Sequence, residues 1–231
     1  VFLRVRDPVV LLAAARDEFL DRPWAPPGRH WPDQDLLGGL DLVSGGTWLA
    51  VRTDRPAVSV LVNGPGTAPN APSRGWLVPR ALSGGEPYAA GMPGFHLLHA
   101  EPGRVRLTSW DGRALTARVV QQGDHVLTYG GLNDLTHSRV RRFHPRLAGL
   151  SDAQWPTLLD GPEPFPAKQD ALLIDRIESG RPYGTTSAAA VSLDHHGLTY
   201  DFMAAPREGG SWHRVNTAPA LDQGEQERTA G

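Results

Sequence analysis

Val9–Ala15, VVLLAAA, is an apolar run without a polar interruption, and it stops abruptly at the charged triplet Arg16-Asp17-Glu18. A strand can be apolar on both faces only where both faces are covered, so this run predicts an inner strand of a layered structure. Val1–Arg6 precedes it as a second strand, and the Asp7-Pro8 turn between them predicts an antiparallel hairpin. Three charges where such a strand ends are costly to bury unpaired, so that end reads as a solvent-facing rim or as a built site.

The same pattern continues along the chain. Pro23, Pro26, Pro27, Gly28 and Pro32 predict a loop, packed because Trp24 and Trp31 within it need cover. Thr47–Arg52 and Ala57–Val62 form a second hairpin, which Asn63-Gly64-Pro65-Gly66 follows. Trp76–Leu82 has helical spacing, with Pro79 marking a helix start. Four strands come next, at 95–100, 104–110, 115–121 and 125–129. Pro102-Gly103, Asp111-Gly112 and Gly123-Asp124 separate them, so they read as a meander. Arg139–Leu147, Asp152–Leu159 and Gln169–Glu178 read as short helices, the last on the apolar stripe Ala171, Leu172, Ile174. Ala188–Leu193 and Leu198–Ala204 form a final hairpin. Strands, then helices, then strands, all joined by hairpin turns, make an α+β fold. Two stacked antiparallel β-sheets flanked by helices would explain the doubly apolar strand.

Composition narrows the function classes. A chain of 231 residues with no long low-complexity linker is read as one domain over 1–216, with a polar, disordered tail over 217–231. A formal charge of −2 gives no electrostatic case for nucleic acid, and no apolar run is long enough to span a bilayer. The absence of cysteine excludes disulfides and thiolate metal sites among these residues. Val1 opens directly in a strand, with no charged-then-apolar leader before it, and the expected location is cytoplasmic.

Several blocks recur in a recognisable order. They are LLAAARDEFLDRPWAPP from Leu11, GGLD at Gly38–Asp41, GGTWLAV at Gly45–Val51, a strand ending in Asn63, SRGWLV at Ser73–Val78, GFHLLHA at Gly94–Ala100, YGGLND at Tyr129–Asp134 and YGTTS at Tyr183–Ser187. In these blocks nearly the whole chain resembles the Asn-Arg-Asp-Glu family, also called the transport and Golgi organisation protein 2 family. The resemblance implies the αββα sandwich of N-terminal nucleophile hydrolases, in which the first residue is Cys, Ser or Thr and its own amino group acts as base. Val1 has no nucleophilic atom, so the nucleophile is expected as a cysteine just upstream.

The resemblance implies roles for the residues around it. Arg16 would favour the thiolate, Asp17 would hold the amino group, and Asn63 and Asn133 would donate to an oxyanion. Each asparagine also has the plainer reading of a turn former beside glycine. Arg16 and Asp17 point to opposite faces of a regular strand, so they share a site only if the strand ends or bulges between them. Two positions depart from the family pattern, Ala15 for the motif's first asparagine and Thr186 for a common arginine.

Two functions follow from these expectations. One is an amidohydrolase that needs no cofactor and acts on a small amide or acyl compound. The other is a non-catalytic carrier of haem or lipid in a cleft beside Ala13-Ala14-Ala15. His96 and His99 face opposite ways on a strand, and His195-His196 sit in a turn, so neither pair has zinc-ligand geometry and no metal is expected. Arg139, Arg141, Arg142 and Arg146 read as a solvated helix face.

Overall fold

The computed structural model describes residues 1–68, 70–160 and 171–218. β1 (Phe2–Val5) and β2 (Val10–Phe19) form the predicted hairpin, Phe2 opposite Ala13 and Val5 opposite Val10. Their free edges are taken by strands distant in sequence. β10 (Gly123–Thr128) pairs with β1, and β13 (Arg181–Asp194) pairs with β2. The rest of this sheet consists of β11 (Gly131–Leu132) beyond β10, β14 (Gly197–Ala204) and β15 (His213–Arg214) beyond β13, and β12 (Asp175–Glu178) against the first residues of β13.

The second sheet is a meander whose strands pair in sequence order: β3 (Trp24–Gly28), β4 (Leu36–Asp41), β5 (Leu49–Arg52), β6 (Ala57–Asn63), β7 (Phe95–Glu101), β8 (Arg104–Trp110) and β9 (Leu115–Val119). The turns predicted at Pro102-Gly103 and Asp111-Gly112 join its last three strands.

Alternation along β2 shows why it is apolar throughout. Val10, Leu12 and Ala14 enter the core between the sheets, with Leu49, Val51, Val58, Val60 and Leu98 from the facing sheet. Leu11 and Ala13 enter a second core under α2 (Ser138–Leu147), through Val140, Phe143 and Leu147. A third core lies on the far side of the second sheet, where Leu77, Val78 and Leu82 of α1 (Leu77–Leu82) cover Leu36, Ala50 and Leu97. The fold is therefore α+β, two antiparallel sheets with few helices. Among the described residues no helix is long and apolar enough to cross a membrane.

Tertiary context overrode local pattern at several places. Trp24–Gly28 is not a loop but an edge strand, a position that tolerates Pro26 and Pro27 because no inner ladder needs their missing N–H. Leu36–Asp41 is a strand that the sequence pattern did not flag. Asp152–Leu159 divides at Trp155 into two short 3₁₀ turns, Pro156 opening the second. Gln169 and Asp170 lie outside the described residues, and Asp175–Glu178 is strand, not helix. Ile174 and Thr185 exchange bonds there: the Thr185 N–H donates to the Ile174 carbonyl at 3.0 Å and the Ile174 N–H to Thr185 Oγ1 at 2.8 Å, which draws this segment onto β13. The tail expected from residue 217 falls outside the described residues from 219 onward.

Candidate functional site

A cleft of about 900 Å³ opens where β1 begins, β2 and β10 end, and β6 of the facing sheet runs out. Val1, Arg16, Asp17, Glu18, Asn63 and Thr128 line it, with Arg74 from the turn before α1 and Arg139 from the first turn of α2. The charged triplet does not follow the strand. It lies within β2, because the register with β13 continues to Phe19 opposite Tyr183.

That register carries a bulge. Arg16 faces Ser187 and Asp17 faces Thr185, which leaves Thr186 as the extra residue on β13. The bulge is on the partner strand, so Arg16 and Asp17 keep the ordinary alternation. Arg16 continues the Leu12 and Ala14 side, between the sheets, and Asp17 continues the Ala13 side, towards α2. Thr186 is built into this arrangement. Its Oγ1 accepts from Arg16 Nη1 at 2.9 Å and donates to the Arg16 carbonyl at 3.3 Å.

Arg16 is buried and held from several sides. Its guanidinium lies 4.3 Å over the Trp48 ring and 5.8 Å from that of Trp24, with Asp41 at 3.6 Å and Glu18 at 3.9 Å. Desolvation lowers its pKa, against the opposing pull of Glu18 and Asp41. Gly39 makes the stack possible: a Cβ there would stand 2.4 Å from Trp48 Cη2, so only glycine lets the indole lie across β4 and support Arg16. Asp41 is held in turn by Arg22, at 2.6 and 3.0 Å, and by the Ser44 N–H and hydroxyl. Burial raises the Asp41 pKa, but these donors outweigh it and hold the carboxyl below its usual range.

On the other side of β2, Asp17 Oδ1 accepts from Thr185 Oγ1 at 2.6 Å, and Oδ2 lies 3.5 Å from Arg139 Nη1. The Tyr183 hydroxyl donates to the Asp17 carbonyl at 3.0 Å, and burial, reinforced by Asp17 and Glu18, raises its pKa to about 12. Val1 continues the ladder: its nitrogen donates to Leu127 O at 3.0 Å and its carbonyl accepts from Leu127 N at 2.8 Å. Desolvation lowers the pKa of that buried amino group to about 5, Arg139 adding to the fall and Asp17 opposing it. Arg139 and Asp17 are thus the charges that the start of β1 feels.

The asparagines divide. Asn63 is exposed and lines the cleft at the end of β6. Asn133 does not line it. Its Oδ1 accepts from the Val126 N–H, its Nδ2 meets His125 Nδ1, both at 2.9 Å, and its φ of 57° turns the chain immediately after β11. Its amide is spent on that turn, which is the plainer reading of an asparagine beside glycine.

His96 braces the cleft wall. Its Nδ1 meets Ser109 Oγ at 2.8 Å, and Nε2 donates across to the Tyr129 carbonyl at 3.1 Å, since a carbonyl can only accept. Among the described residues no group of three or more His, Asp or Glu is placed to hold a metal ion.

Sequence reasoning missed Arg139, which it assigned to a solvated face, and Arg74, Asp41 and Trp48. Only the blocks containing Arg74, Asp41 and Trp48 signalled them. Nothing local marked Arg139, because its role depends on α2 packing across β2. Chemically, the cleft offers a carboxylate and a guanidinium beside the start of β1, with an exposed amide from the facing sheet.

The family model described as Transport and Golgi organisation 2 matches residues 8–91, a span that runs from β2 to just before β7 and includes Arg16, Asp17, Asn63 and Arg74. No curated protein matches the chain.

Proposed function

We propose, on the premise that over residues 8–91 the chain belongs to the Transport and Golgi organisation 2 family, that the cleft is the site of an N-terminal-nucleophile amidohydrolase acting on a small amide or acyl compound. One observation carries this reading: Val1 still pairs with Leu127 at the cleft wall. With Phe2 opposite Ala13 and Val126, a residue before Val1 would stand opposite Ala15 and Thr128. By alternation its side chain would point to the side that holds Asp17 and Arg139. The packing of two sheets with α1 and α2 on their far sides supports the same scaffold.

In this mechanism a cysteine, serine or threonine preceding Val1 attacks the substrate carbonyl. Its free amino group, with an ordinary pKa of about 7.7–8, takes the proton. Asp17 holds that ammonium, Arg139 favours the thiolate or the developing oxyanion, and the Asn63 amide donates to the oxyanion. On collapse the ammonium returns that proton to the leaving nitrogen, the C–N bond breaks to release the amine, and water then hydrolyses the acyl-enzyme to the acid and the free nucleophile. Arg16 acts from the other side of β2, anchoring the bulge and the Trp48 wall.

The coding sequence upstream of Val1 tests this, followed by the chain produced with its native start. A processed Cys, Ser or Thr as first residue, and an acyl adduct on it by mass spectrometry, are the expected results. Absence of any residue that can become such a nucleophile ends the mechanism.

A second reading, a carrier of haem or lipid, draws on the apolar part of the lining, Phe2, Ala14, Ala15, Phe143, Leu159 and Leu172. It requires a Soret shift on haem titration or a lipid that co-purifies, and neither accompanies the hydrolase reading.

A further inference from the structure

Four of the five arginines that line the cleft have a carboxylate partner. Arg16 and Arg22 share Asp41 and Glu18, Arg139 meets Asp17, and Arg176 meets Glu178. Arg74 has none within 4.0 Å among the described residues. Among the described residues its one hydrogen bond runs from Nη1 to the Gly94 carbonyl at 2.7 Å, and Nε and Nη2 have no acceptor there. Desolvation lowers its pKa, and Glu18, whose charge opposes the fall, makes no ion pair with it within 4.0 Å. A half-buried guanidinium in this state carries a desolvation cost that the fold does not offset.

Its surroundings have the form of a receptor. Arg74 borders both the main cleft and a side lobe of about 340 Å³, which Asn63, Thr67 and Tyr129 also line. Asn63 and Tyr129 are exposed there, and their side chains make no hydrogen bond among the described residues. The loop that presents them is held close. Gly94 donates to the Gly66 carbonyl and accepts from the Gly64 N–H, at 3.0 and 2.9 Å. A Cβ on Gly94 would fall 1.7 Å from the Pro65 carbonyl oxygen. Arg74 is therefore anchored by a backbone that cannot give way.

We propose that Arg74, with the Tyr129 hydroxyl, receives the carboxylate of the substrate, so that the compound turned over is an amide bearing a free carboxylate, of the N-acyl amino acid class. This rests on the hydrolase reading for the amide and on the unpaired guanidinium for the acid. One uncompensated positive charge matches one negative charge. A phosphate dianion would leave a surplus negative charge facing Glu18. The carboxylate takes the Nε and Nη2 donors as a bidentate pair, while the acyl chain follows the apolar wall of the main cleft.

The test uses N-octanoylglycine, its methyl ester and inorganic phosphate as probes, with binding measured by calorimetry on the full chain. The acid is expected to bind about 10–100-fold more tightly than the ester, the range of a charge-assisted pair, and Arg74→Gln is expected to bring the acid down to the ester's level. Arg74→Lys recovers part of the loss. Tyr129→Phe, at an exposed position, weakens the acid without altering the melting temperature. Equal binding of acid and ester, unaffected by Arg74→Gln, overturns the proposal and leaves the cleft reading intact. Tighter competition by phosphate than by the acid also overturns it. Arg74-dependent binding of the acid by the chain with its native start, if that chain forms no acyl adduct, would sink the hydrolase mechanism alone. Binding of neither organic probe removes both.

Discussion

Replacing Arg4 with methionine tests how the α2 side of the first sheet is held. Arg4 is 2% exposed, and each of its five N–H donors has an acceptor. Nε and Nη2 grip Asp124, the residue opposite it in the ladder, at 2.6 and 2.9 Å. Nη1 reaches Asp152 at 2.9 Å and the Leu150 carbonyl at 2.7 Å, and Nη2 also takes the Leu147 carbonyl, at 2.6 Å, where α2 ends. The guanidinium lies 4.9 Å from the centre of the Trp155 ring. Methionine retains the bulk but, among the described residues, leaves the Asp124 carboxylate and the Leu150 carbonyl without donors, while the Leu147 carbonyl keeps only the Leu150 N–H. Asp152 is 45% exposed and regains water, so its share is small. Removing one partner of a buried pair costs about 3–5 kcal/mol. With an m-value of about 2–3 kcal/mol/M, the urea midpoint should fall by roughly 1–2.5 M. Arg4→Lys should fall between, since one ammonium cannot reach all the acceptors. A loss below about 1 kcal/mol for Arg4→Met, or additivity with Asp124→Asn in a double-mutant cycle, would refute this account.

Two further outcomes follow from the same kind of bookkeeping. Thr185→Val keeps the shape but strips the hydroxyl that joins Asp17 to the Ile174 N–H, so urea unfolding should show a loss of about 2–3 kcal/mol that Thr185→Ser largely restores; a loss within experimental error would mean that water replaces the hydroxyl freely. Burial is the main cause that lowers the pKa of both His96 and His99 from the ordinary 6.5, so below that pH the unfolded chain binds protons that the native chain refuses. Stability should be level above pH 6.5 and fall as pH drops beneath it. The fall should be shallower in His99→Gln, measured as urea midpoints between pH 7.5 and 5.5; an unchanged slope would contradict the assignment.

The inner strand, both early hairpins and most of the meander were legible because apolar alternation and turn residues are local signals. The helix expected through Asp175–Glu178 failed for a nonlocal reason: Thr185 supplies the hydrogen bonds that a helix would have drawn from its own backbone. The strand at Trp24–Gly28 was hidden by prolines that only an edge position tolerates. At the site, the sequence singled out Arg16 and Asp17, which the structure places at the cleft on opposite sides of one strand. The condition stated for their sharing a site was a break between them, and the bulge belongs to the partner strand instead. The partnership of Asp17 with Arg139 depends on where a helix more than a hundred residues later comes to rest. No spacing in the chain encodes that.

The alternation of Arg16 and Asp17 along β2 gives the strand two unlike faces at the cleft. On one side the stacked indoles and Asp41 immobilise a guanidinium. On the other, a carboxylate and a second guanidinium act on Val1, just before β1. A ligand in the cleft therefore meets its charged groups on the Asp17 face, while the buried Arg16 face sets the shape of the wall behind them.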